Sequence, residues 1–251
     1  MQLNLSGKAA LVTGSSRGIG RAIAAALQAE GCCVAVNGRN SSDLATATAS
    51  LKGAIGIAGD VTCPDDAKRI VDEATRILGK LDILVCNVGS GRSVLPGAET
   101  PDEWQRVFAL NLWSVTNTVE AAKLALIASN GVIVCISSIC GLEVIPGAPI
   151  TYSAAKAALH AYVRGIARPL GQHGIRINAV ASGNILFDES IWARKLAEDR
   201  LAVQSMLETN VALKRLGSPE DVANLVTYLV SARSAYATGG VWTLDGGQVH
   251  S

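Results

Sequence analysis

The chain has 251 residues, of which 49 % are apolar and 17 % charged, a composition that excludes a disordered protein and provides for one large α/β domain. The net charge of +1 at neutral pH gives no electrostatic reason to expect nucleic acid or an anionic membrane as a partner. The six cysteines show no CxxC spacing and the three histidines lie far apart, so we expect neither disulfides nor a metal site.

Short apolar strands and helical segments alternate along the chain. The predicted strands cover 8–13, 32–38, 54–59, 81–87, 131–137, 175–180 and 241–245, and the predicted helices cover 18–30, 41–51, 64–79, 102–129, 151–172, 189–209 and 218–232. Strands that are apolar on both faces and alternate with helices form a parallel sheet covered on both sides. We therefore predict a single-domain Rossmann-type α/β fold over 1–251, a doubly wound parallel sheet of about seven strands.

Neither of the two most apolar stretches indicates export or membrane insertion. The N-terminal one is broken by Lys8 and closed by Thr13-Gly14, which suits a strand better than a signal peptide. The longest uncharged run, 124–142, is divided by Ser-Asn-Gly at 129–131 into a helix end and a new strand. We expect a cytoplasmic protein without a membrane span.

The stretch TGSSRGIG at 13–20 follows the first predicted strand and opens the first helix. Glycines at 14, 18 and 20 let the backbone turn tightly and approach a ligand, and the helix start behind them suits a pyrophosphate. An ordinary strand-to-helix loop is the alternative. The strand–turn–helix context favours dinucleotide binding.

The end of the second strand bears on which dinucleotide binds. NAD-binding proteins commonly place an acidic residue there, whereas this chain reads Asn37-Gly38-Arg39. Arg39, with Arg17 as a second candidate, suits the 2′-phosphate of NADP(H), although both also fit as solvated surface arginines. We predict NADP(H), with NAD(H) as the alternative. Asp60 is predicted to accept from the adenine amino group, and a turn aspartate is the other interpretation.

Tyr152 and Lys156 lie one turn apart on the predicted helix 151–172. The same face continues with Leu159, Val163, Ile166 and Leu170. That face is apolar and is predicted to point inward, where an unpaired ammonium is costly. Either the lysine stem packs while its head reaches water, or the ammonium is held at a ligand beside the phenol.

Nine segments in order resemble the short-chain dehydrogenases/reductases, and the resemblance covers nearly the whole chain. They are TGSSRGIG (13–20), GDV (59–61), CNVG (86–89), ALNLWS (109–114), ISSICG (136–141), YSAAK (152–156), INAVASG (177–183), RLGSPEDVANLVTYLVS (215–231) and TGGVWTLDGG (238–247). Any one of these segments is weak by itself, whereas nine in the family order are highly specific.

The resemblance implies a catalytic set of Asn111, Ser138, Tyr152 and Lys156. Lys156 then binds the ribose beside the nicotinamide and lowers the pKa of the Tyr152 phenol, which titrates near ~10 when free. Tyr152 exchanges a proton with the substrate oxygen, Ser138 orients that oxygen, and Asn111 holds a water in a proton relay. The implied cofactor-binding residues are Gly14, Ser16, Arg17, Gly18, Ile19, Gly20, Arg39, Asp60, Val61, Asn87, Gly89, Tyr152, Lys156 and Ile185.

Three residues depart from the family pattern. Val88 replaces a usual alanine, which we interpret as a packing change near the adenosine. Ser182 replaces a usual proline, and Phe187 stands where a threonine often touches the cofactor. Loss of the proline is expected to loosen this loop.

Two segments are expected to shape the substrate pocket, namely 90–100 and an amphipathic helical lid at 184–210. Arg92 and Trp192 are the candidate substrate contacts, although Arg92 also fits as a solvated surface residue. The resemblance further implies a homodimer or homotetramer with the predicted helices 102–129 and 151–172 at the dimer face.

The sequence thus predicts an NADP(H)-dependent oxidoreductase that reduces a ketone or aldehyde, similar to the 3-oxoacyl-carrier-protein reductases. An NAD-linked alcohol or sugar dehydrogenase is the alternative enzyme. A non-catalytic nucleotide-binding regulator is the alternative of another class. The complete set Asn111, Ser138, Tyr152 and Lys156 argues against it, because a regulator does not need the phenol.

Overall fold

The computed structural model describes residues 2–250 and contains a parallel sheet of seven strands in the order β3-β2-β1-β4-β5-β6-β7. The strands are β1 (Ala9–Val12), β2 (Cys33–Gly38), β3 (Ile55–Ala58), β4 (Ile83–Cys86), β5 (Val132–Ser138), β6 (Arg176–Ser182) and β7 (Val241–Leu244). The direction of winding reverses between β1 and β4, so the loops that follow these two strands flank a crevice at the carboxyl edge of the sheet. The fold class predicted from the sequence is confirmed.

Helices cover both faces of this sheet. They are α1 (Gly18–Ala29), α2 (Ser41–Ser50), α3 (Pro64–Leu78), α4 (Pro101–Phe108), α5 (Ser114–Ser129), α6 (Ile150–Gly171), α7 (Ile191–Glu198), α8 (Arg200–Asn210) and α9 (Pro219–Val230). Successive strand residues point to opposite faces, so Leu11 and Leu84 pack in the core formed with α3, α5 and α6. Val12 and Val85 pack in the second core, formed with α1 and α9.

Two predicted helices are interrupted in the structure. The predicted helix 102–129 is divided by a π-helical turn, Ala109–Trp113, that joins α4 to α5. The predicted helix 189–209 breaks at Asp199, whose backbone is extended and whose carboxylate accepts from the Ala202 N–H at the start of α8. The other elements begin and end within one or two residues of their predicted positions.

The inward face of α6 is as predicted. Leu159, Val163 and Leu170 are buried, and Lys156, on the same face, is only 3 % exposed. This face presses against the carboxyl half of β5 and the 3₁₀ turn Ile139–Gly141 that follows it. Among residues 2–250, no helix combines the length and apolarity needed to cross a lipid bilayer.

Candidate active site

A crevice of about 1420 Å³ opens at the carboxyl edge of the sheet. Pockets for one small ligand commonly occupy roughly 300–1,000 Å³, so this crevice has room for a dinucleotide together with a substrate. Most site residues predicted from the sequence line it, namely Gly14, Ser16, Arg17, Ile19, Arg39, Asp60, Val61, Asn87, Gly89, Arg92, Ser138, Tyr152, Lys156, Ile185 and Trp192. The structure therefore brings most of the predicted residues to one place.

Three predicted site residues lie behind the crevice wall instead. Gly18 has a left-handed backbone and lies under the ring of Phe187, where a methyl group on Gly18 would come within 2.6 Å of ring atom Cε2. A methyl group on Gly20 would lie 2.5 Å from Nδ2 of Asn87. Asn111 is fully buried. The two glycines thus permit close packing around the turn.

The glycine-rich turn is fixed by hydrogen bonds to the ends of β2 and β4. Ser15 N–H donates to Asn37 O at 2.8 Å, and Asn37 N–H donates to Ser15 Oγ at 3.0 Å. From β4, Asn87 Nδ2 donates to Gly14 O at 2.8 Å. The residue before α1, Arg17, supplies no side-chain cap, so the first N–H groups of that helix lack a capping side chain. This arrangement fits the pyrophosphate of a dinucleotide.

Both arginines that are candidates for a 2′-phosphate lie in exposed ion pairs. Arg39 Nη1 is 3.7 Å from Asp60 Oδ2, and Arg17 pairs with Glu189 from the loop before α7. Exposed pairs contribute only about 0–1 kcal/mol, so neither carboxylate prevents its arginine from binding a phosphate. Asp60 also accepts from the N–H of Thr62 at 3.0 Å, which is the turn role left open as the alternative to adenine binding.

Lys156 reaches the crevice from α6. Its ammonium donates to the carbonyl oxygen of Ile136 at 3.0 Å, and Nζ lies 5.8 Å from the centre of the Tyr152 ring. Burial lowers the pKa of Lys156 to about 8, because transfer of the charged form out of water is unfavourable. The ammonium of Lys156 therefore does not reach bulk water. This excludes the interpretation in which the lysine stem packs and its head is solvated.

Tyr152 is the residue whose protonation differs from the expectation. Burial raises the pKa of the Tyr152 phenol above its ordinary value, and hydrogen bonding with Ser138 opposes this only in part. The net direction is therefore opposite to the lowering of this pKa that was expected from Lys156. In this state the phenol holds its proton at neutral pH. Ser138 Oγ accepts from the Cys140 N–H at 3.2 Å, which leaves the serine hydroxyl hydrogen available for another acceptor.

Asn111 lies in the π-helical turn. Its Nδ2 donates to Val107 O at 3.0 Å and to Ser90 O at 3.1 Å, and its Oδ1 accepts from the Ser90 N–H at 3.0 Å. A methyl group on Gly89 would come within 2.9 Å of Asn111 Oδ1 and 3.1 Å of Lys156 Nζ. The Asn111 amide thus holds the loop after β4 close to the lysine, and its part in a water relay stays a prediction.

Comparison with known proteins agrees with this geometry. The family model described as enoyl-(acyl carrier protein) reductase matches residues 14–249. A putative ketoacyl reductase of granaticin polyketide synthase from Streptomyces violaceoruber is 38 % identical, over 95 % of this chain and 94 % of the relative. A 3-oxoacyl-(acyl-carrier-protein) reductase from Synechocystis is 35 % identical, over 98 % of both chains.

The fold comparison gives the same family. The crystal structure of L-sorbose reductase from Gluconobacter frateurii, complexed with NADPH and L-sorbose, matches with a TM-score of 0.94 and 30 % identity, over 100 % of both chains. The chain is a short-chain dehydrogenase/reductase. It is accordingly an oxidoreductase, and the function class predicted from the sequence is confirmed.

Two of the three departures from the family pattern, Val88 and Ser182, make defined contacts in this short-chain dehydrogenase/reductase. Val88 packs against the glycine-rich turn, because a methyl group on Gly14 would lie 2.9 Å from its Cγ2. Ser182 is buried at the end of β6 and donates to Ser137 O at 3.3 Å. The structure thus gives Ser182 an anchoring hydrogen bond where a loosened loop was expected.

Contacts between the segment 187–190 and the glycine-rich turn were missed from the sequence. The Phe187 ring covers Gly18, and Glu189 pairs with Arg17. Arg92 Nη2 donates to the Glu189 backbone carbonyl at 3.4 Å. These contacts join positions far apart in the chain, so local patterning holds no signal for them. The one sign of these contacts in the sequence was Phe187, which stands where the family often has a threonine.

Proposed function

We propose that this chain reduces a ketone with NADP(H), with a 3-oxoacyl thioester as the best-fitting substrate type. One observation carries the proposal. The buried ammonium of Lys156, the phenol of Tyr152 and the hydroxyl of Ser138 meet in one crevice, which continues to a glycine-rich turn without a capping side chain. A regulator that only bound a nucleotide would not need the phenol and serine at the far end.

The residues of the crevice fit a dinucleotide in an extended form. The α1 start suits the pyrophosphate, and Arg39 with Arg17 would bind the 2′-phosphate, because the end of β2 carries no carboxylate. Lys156 would bind the ribose hydroxyls, and Ile185, at the end of the crevice near Phe187, would face the carboxamide through its backbone. NADPH, when bound, supplies the hydride.

The chain's own residues then handle the proton. Tyr152 carries the acidic hydrogen and would donate it to the carbonyl oxygen of the substrate. Ser138 would donate its hydroxyl hydrogen to the same oxygen and fix its position. Lys156, whose ammonium lies near the ring, would oppose the rise of the phenol pKa that burial causes and so stabilise the tyrosinate left behind. Asn111 holds the loop that borders the lysine, and a relay to solvent would pass there.

The crevice has an apolar portion beside its charged and polar lining residues. This portion is lined by Val94, Leu95, Val144, Ile145, Ile191 and Trp192. Arg92 lies at the rim and is exposed, which suits an anionic group at the far end of a substrate. The names of the ketoacyl and 3-oxoacyl relatives support an acyl substrate, whereas the L-sorbose reductase supports a ketose sugar.

Three further features belong to this proposal. The segment 184–210, with α7 and α8, would act as a lid over the substrate. A homodimer or homotetramer is the assembly that the family implies. A cytoplasmic location agrees with the six free cysteines, because thiols persist in a reducing compartment.

The test is a panel of ketones and aldehydes followed by NADPH absorbance, with NADH in parallel. We expect turnover with 3-oxoacyl thioesters and NADPH, and a Tyr152→Phe variant that turns over about 100- to 10,000-fold more slowly while its Kd for NADPH changes less than about twofold. Unchanged turnover in the variant would contradict the assigned role of the phenol. Faster reduction of sugars than of oxoacyl thioesters would favour the alternative substrate class.

A further inference from the structure

A buried polar network lies directly behind Ser138, and the proposed mechanism does not use it. Ser137 Oγ lies 2.7 Å from His160 Nε2, and His160 Nδ1 lies 3.2 Å from the Gly141 carbonyl oxygen. Ser182 Oγ donates to the carbonyl oxygen of Ser137 at 3.3 Å. His160 is 2 % exposed and Ser137 is 3 % exposed, so water does not replace these hydrogen bonds.

The partners fix the direction of each hydrogen bond. The Gly141 carbonyl can only accept, so His160 Nδ1 carries a hydrogen and donates it. Burial lowers the pKa of His160 to about 4, so the ring is neutral at pH 7 and Nε2 has a free lone pair. Ser137 Oγ therefore donates to Nε2. Arg164 and Lys156, on the same helix, also oppose a second positive charge there.

The network joins the two elements that carry the reacting groups. Tyr152, Lys156 and His160 follow at four-residue spacing on one face of α6, whereas Ser138 ends β5. The turn Ile139–Gly141 presses against α6, since a methyl group on Gly141 would lie 2.6 Å from the Lys156 carbonyl carbon and 2.7 Å from His160 Cε1. His160 thus holds the chain on both sides of Ser138, through Ser137 before it and Gly141 after it.

We propose that His160 is a positioning residue for the reduction, acting as a neutral Nδ1–H imidazole that holds Ser138 in register with Tyr152 through Ser137 and Gly141. The proposal rests on the proposed function for the part that concerns catalysis. Small displacements of a positioned group cost about 100-fold in rate for each ångström or so, so a link between the two elements matters for turnover. Ser182, in place of proline, extends the same link to β6.

The hydrogen-bond arrangement is tested by ¹⁵N NMR of histidine-labelled protein at pH 7. The chain has three histidines, and His160→Gln identifies the signal of interest against those of His173 and His250. We expect a neutral Nδ1–H ring for His160. A neutral Nε2–H ring or an imidazolium would overturn the proposal. This spectrum needs no turnover, so it remains decisive if the wild type reduces no ketone, a result that would contradict the proposed function instead.

The effect on catalysis is tested with Ser137→Ala, His160→Leu and His160→Gln. We expect kcat to fall about 3- to 10-fold in Ser137→Ala and about 10- to 100-fold in His160→Leu, with the Kd for NADPH changed less than about twofold. His160→Gln keeps a donor and an acceptor and should recover much of the loss. Ser234→Ala removes another buried serine, with a 2.7 Å hydrogen bond to Leu229 O, and is the matched control.

Two results would overturn the catalytic part. One is a kcat within about twofold of the wild type in both Ser137→Ala and His160→Leu. The other is a loss of NADPH affinity as large as the loss of kcat, which would indicate general disruption of the crevice. If His160→Leu does not fold, Ser137→Ala decides the question alone, because it removes one oxygen atom without changing the packing of α6.

Discussion

At the scale of single residues, the charges beside the end of β2 bear on the cofactor preference in the proposed function. Arg39 and Arg17 are more than half exposed, and each pairs with one carboxylate, from Asp60 and Glu189. A phosphate group carries more charge than a carboxylate and accepts from a guanidinium in the same forked geometry. Under the proposed function these exposed ion pairs would give way to the 2′-phosphate of NADP(H), whereas NAD(H) offers no group to replace them.

Arg39→Asp should accordingly reverse the cofactor preference. We expect the Kd for NADPH to rise about 10- to 100-fold, because a charged hydrogen bond of about 1.5–3 kcal/mol is replaced by repulsion, while the Kd for NADH changes little. Fluorescence titration with each cofactor measures both values, and Arg76→Asp on the exposed side of α3 is the control. An equal loss for the two cofactors would show that Arg39 does not contact the 2′-phosphate.

The buried imidazole of His160 should make stability depend on pH. Its pKa is lowered to about 4 in the folded protein, so between about pH 6.5 and 4 the unfolded chain binds the additional proton. Stability contributed by the neutral ring is present above pH 6.5 and is lost as the pH falls toward 4. The loss is up to about 3 kcal/mol, since one pKa unit corresponds to about 1.4 kcal/mol.

Urea unfolding of the wild type and His160→Gln across this pH range measures that effect. Carboxylates titrate in both proteins. The difference between the two slopes of unfolding free energy against pH therefore isolates the contribution of the imidazole. Equal slopes for the two proteins would show that the pKa of His160 is not lowered in the folded state.

The sequence indicated the position of Lys156 correctly but not the protonation of its neighbour. A lysine on an apolar helical face is visible from spacing alone, and the structure buries it. The pKa of Tyr152 depends on how much protein surrounds the hydroxyl, which no pattern of nearby residues reveals. Its direction therefore came out opposite to the expectation.

At the scale of elements, the loop before α7 lies across the glycine-rich turn. Phe187 covers Gly18, Glu189 pairs with Arg17, and the Ser190 side chain caps α7 by accepting from the Ala193 N–H at 3.0 Å. Glu189 has a left-handed backbone with φ of 61°, an unfavourable conformation for a residue with a side chain. The loop is thus held closed by side-chain contacts against a local backbone cost.

Glu189→Gln should loosen this loop. Removing one exposed ion pair costs about 0–1 kcal/mol, so we expect trypsin to cleave at Arg194 or Lys195 up to about fivefold faster. Time-resolved proteolysis with mass spectrometry measures the rate at each bond. Glu198→Gln is the matched control, because Glu198 pairs with Arg194 within α7 and does not reach the glycine-rich turn. Equal cleavage rates in wild type and Glu189→Gln would mean that the pair does not hold the loop.

Most helices and strands could be predicted from the sequence, and the exceptions have physical causes. The division at Asp199 follows from capping of α8 by its carboxylate, a signal hidden among the other charges of that segment. The π-helical turn between α4 and α5 is set by packing of Asn111 under the loop after β4. A contact between residues distant in sequence cannot be read from helical periodicity.

At the scale of the whole molecule, the run from α4 to α5 exposes large apolar side chains. Trp104 is 36 % exposed, Trp113 is 43 % exposed and Leu124 is 81 % exposed. Apolar surface of this kind favours association, and the small net charge of +1 offers little repulsion between copies. These features support the homo-oligomer that the family resemblance implies.

Leu124→Glu should therefore shift the protein toward smaller species. We expect sedimentation to show a dimer or tetramer for the wild type and a larger monomer fraction for the variant, because a charge is buried on association. Leu201→Glu, at a residue 78 % exposed on α8, is the matched control and should leave the assembly unchanged. A wild type that sediments as a monomer would contradict the expected assembly.

The π-helical turn Ala109–Trp113 makes the protein sensitive to deletion of a single residue at this point. A regular helix advances about 100° per residue, so deleting one residue from this turn would rotate the whole of α5 by roughly a quarter circle against α4. Buried Val115 and Val119 would then swing away from α3 toward solvent. A substitution on the exposed side of α5 leaves this packing in place, whereas a three-nucleotide deletion within codons 109–113 would disturb the crevice and the outer surface together.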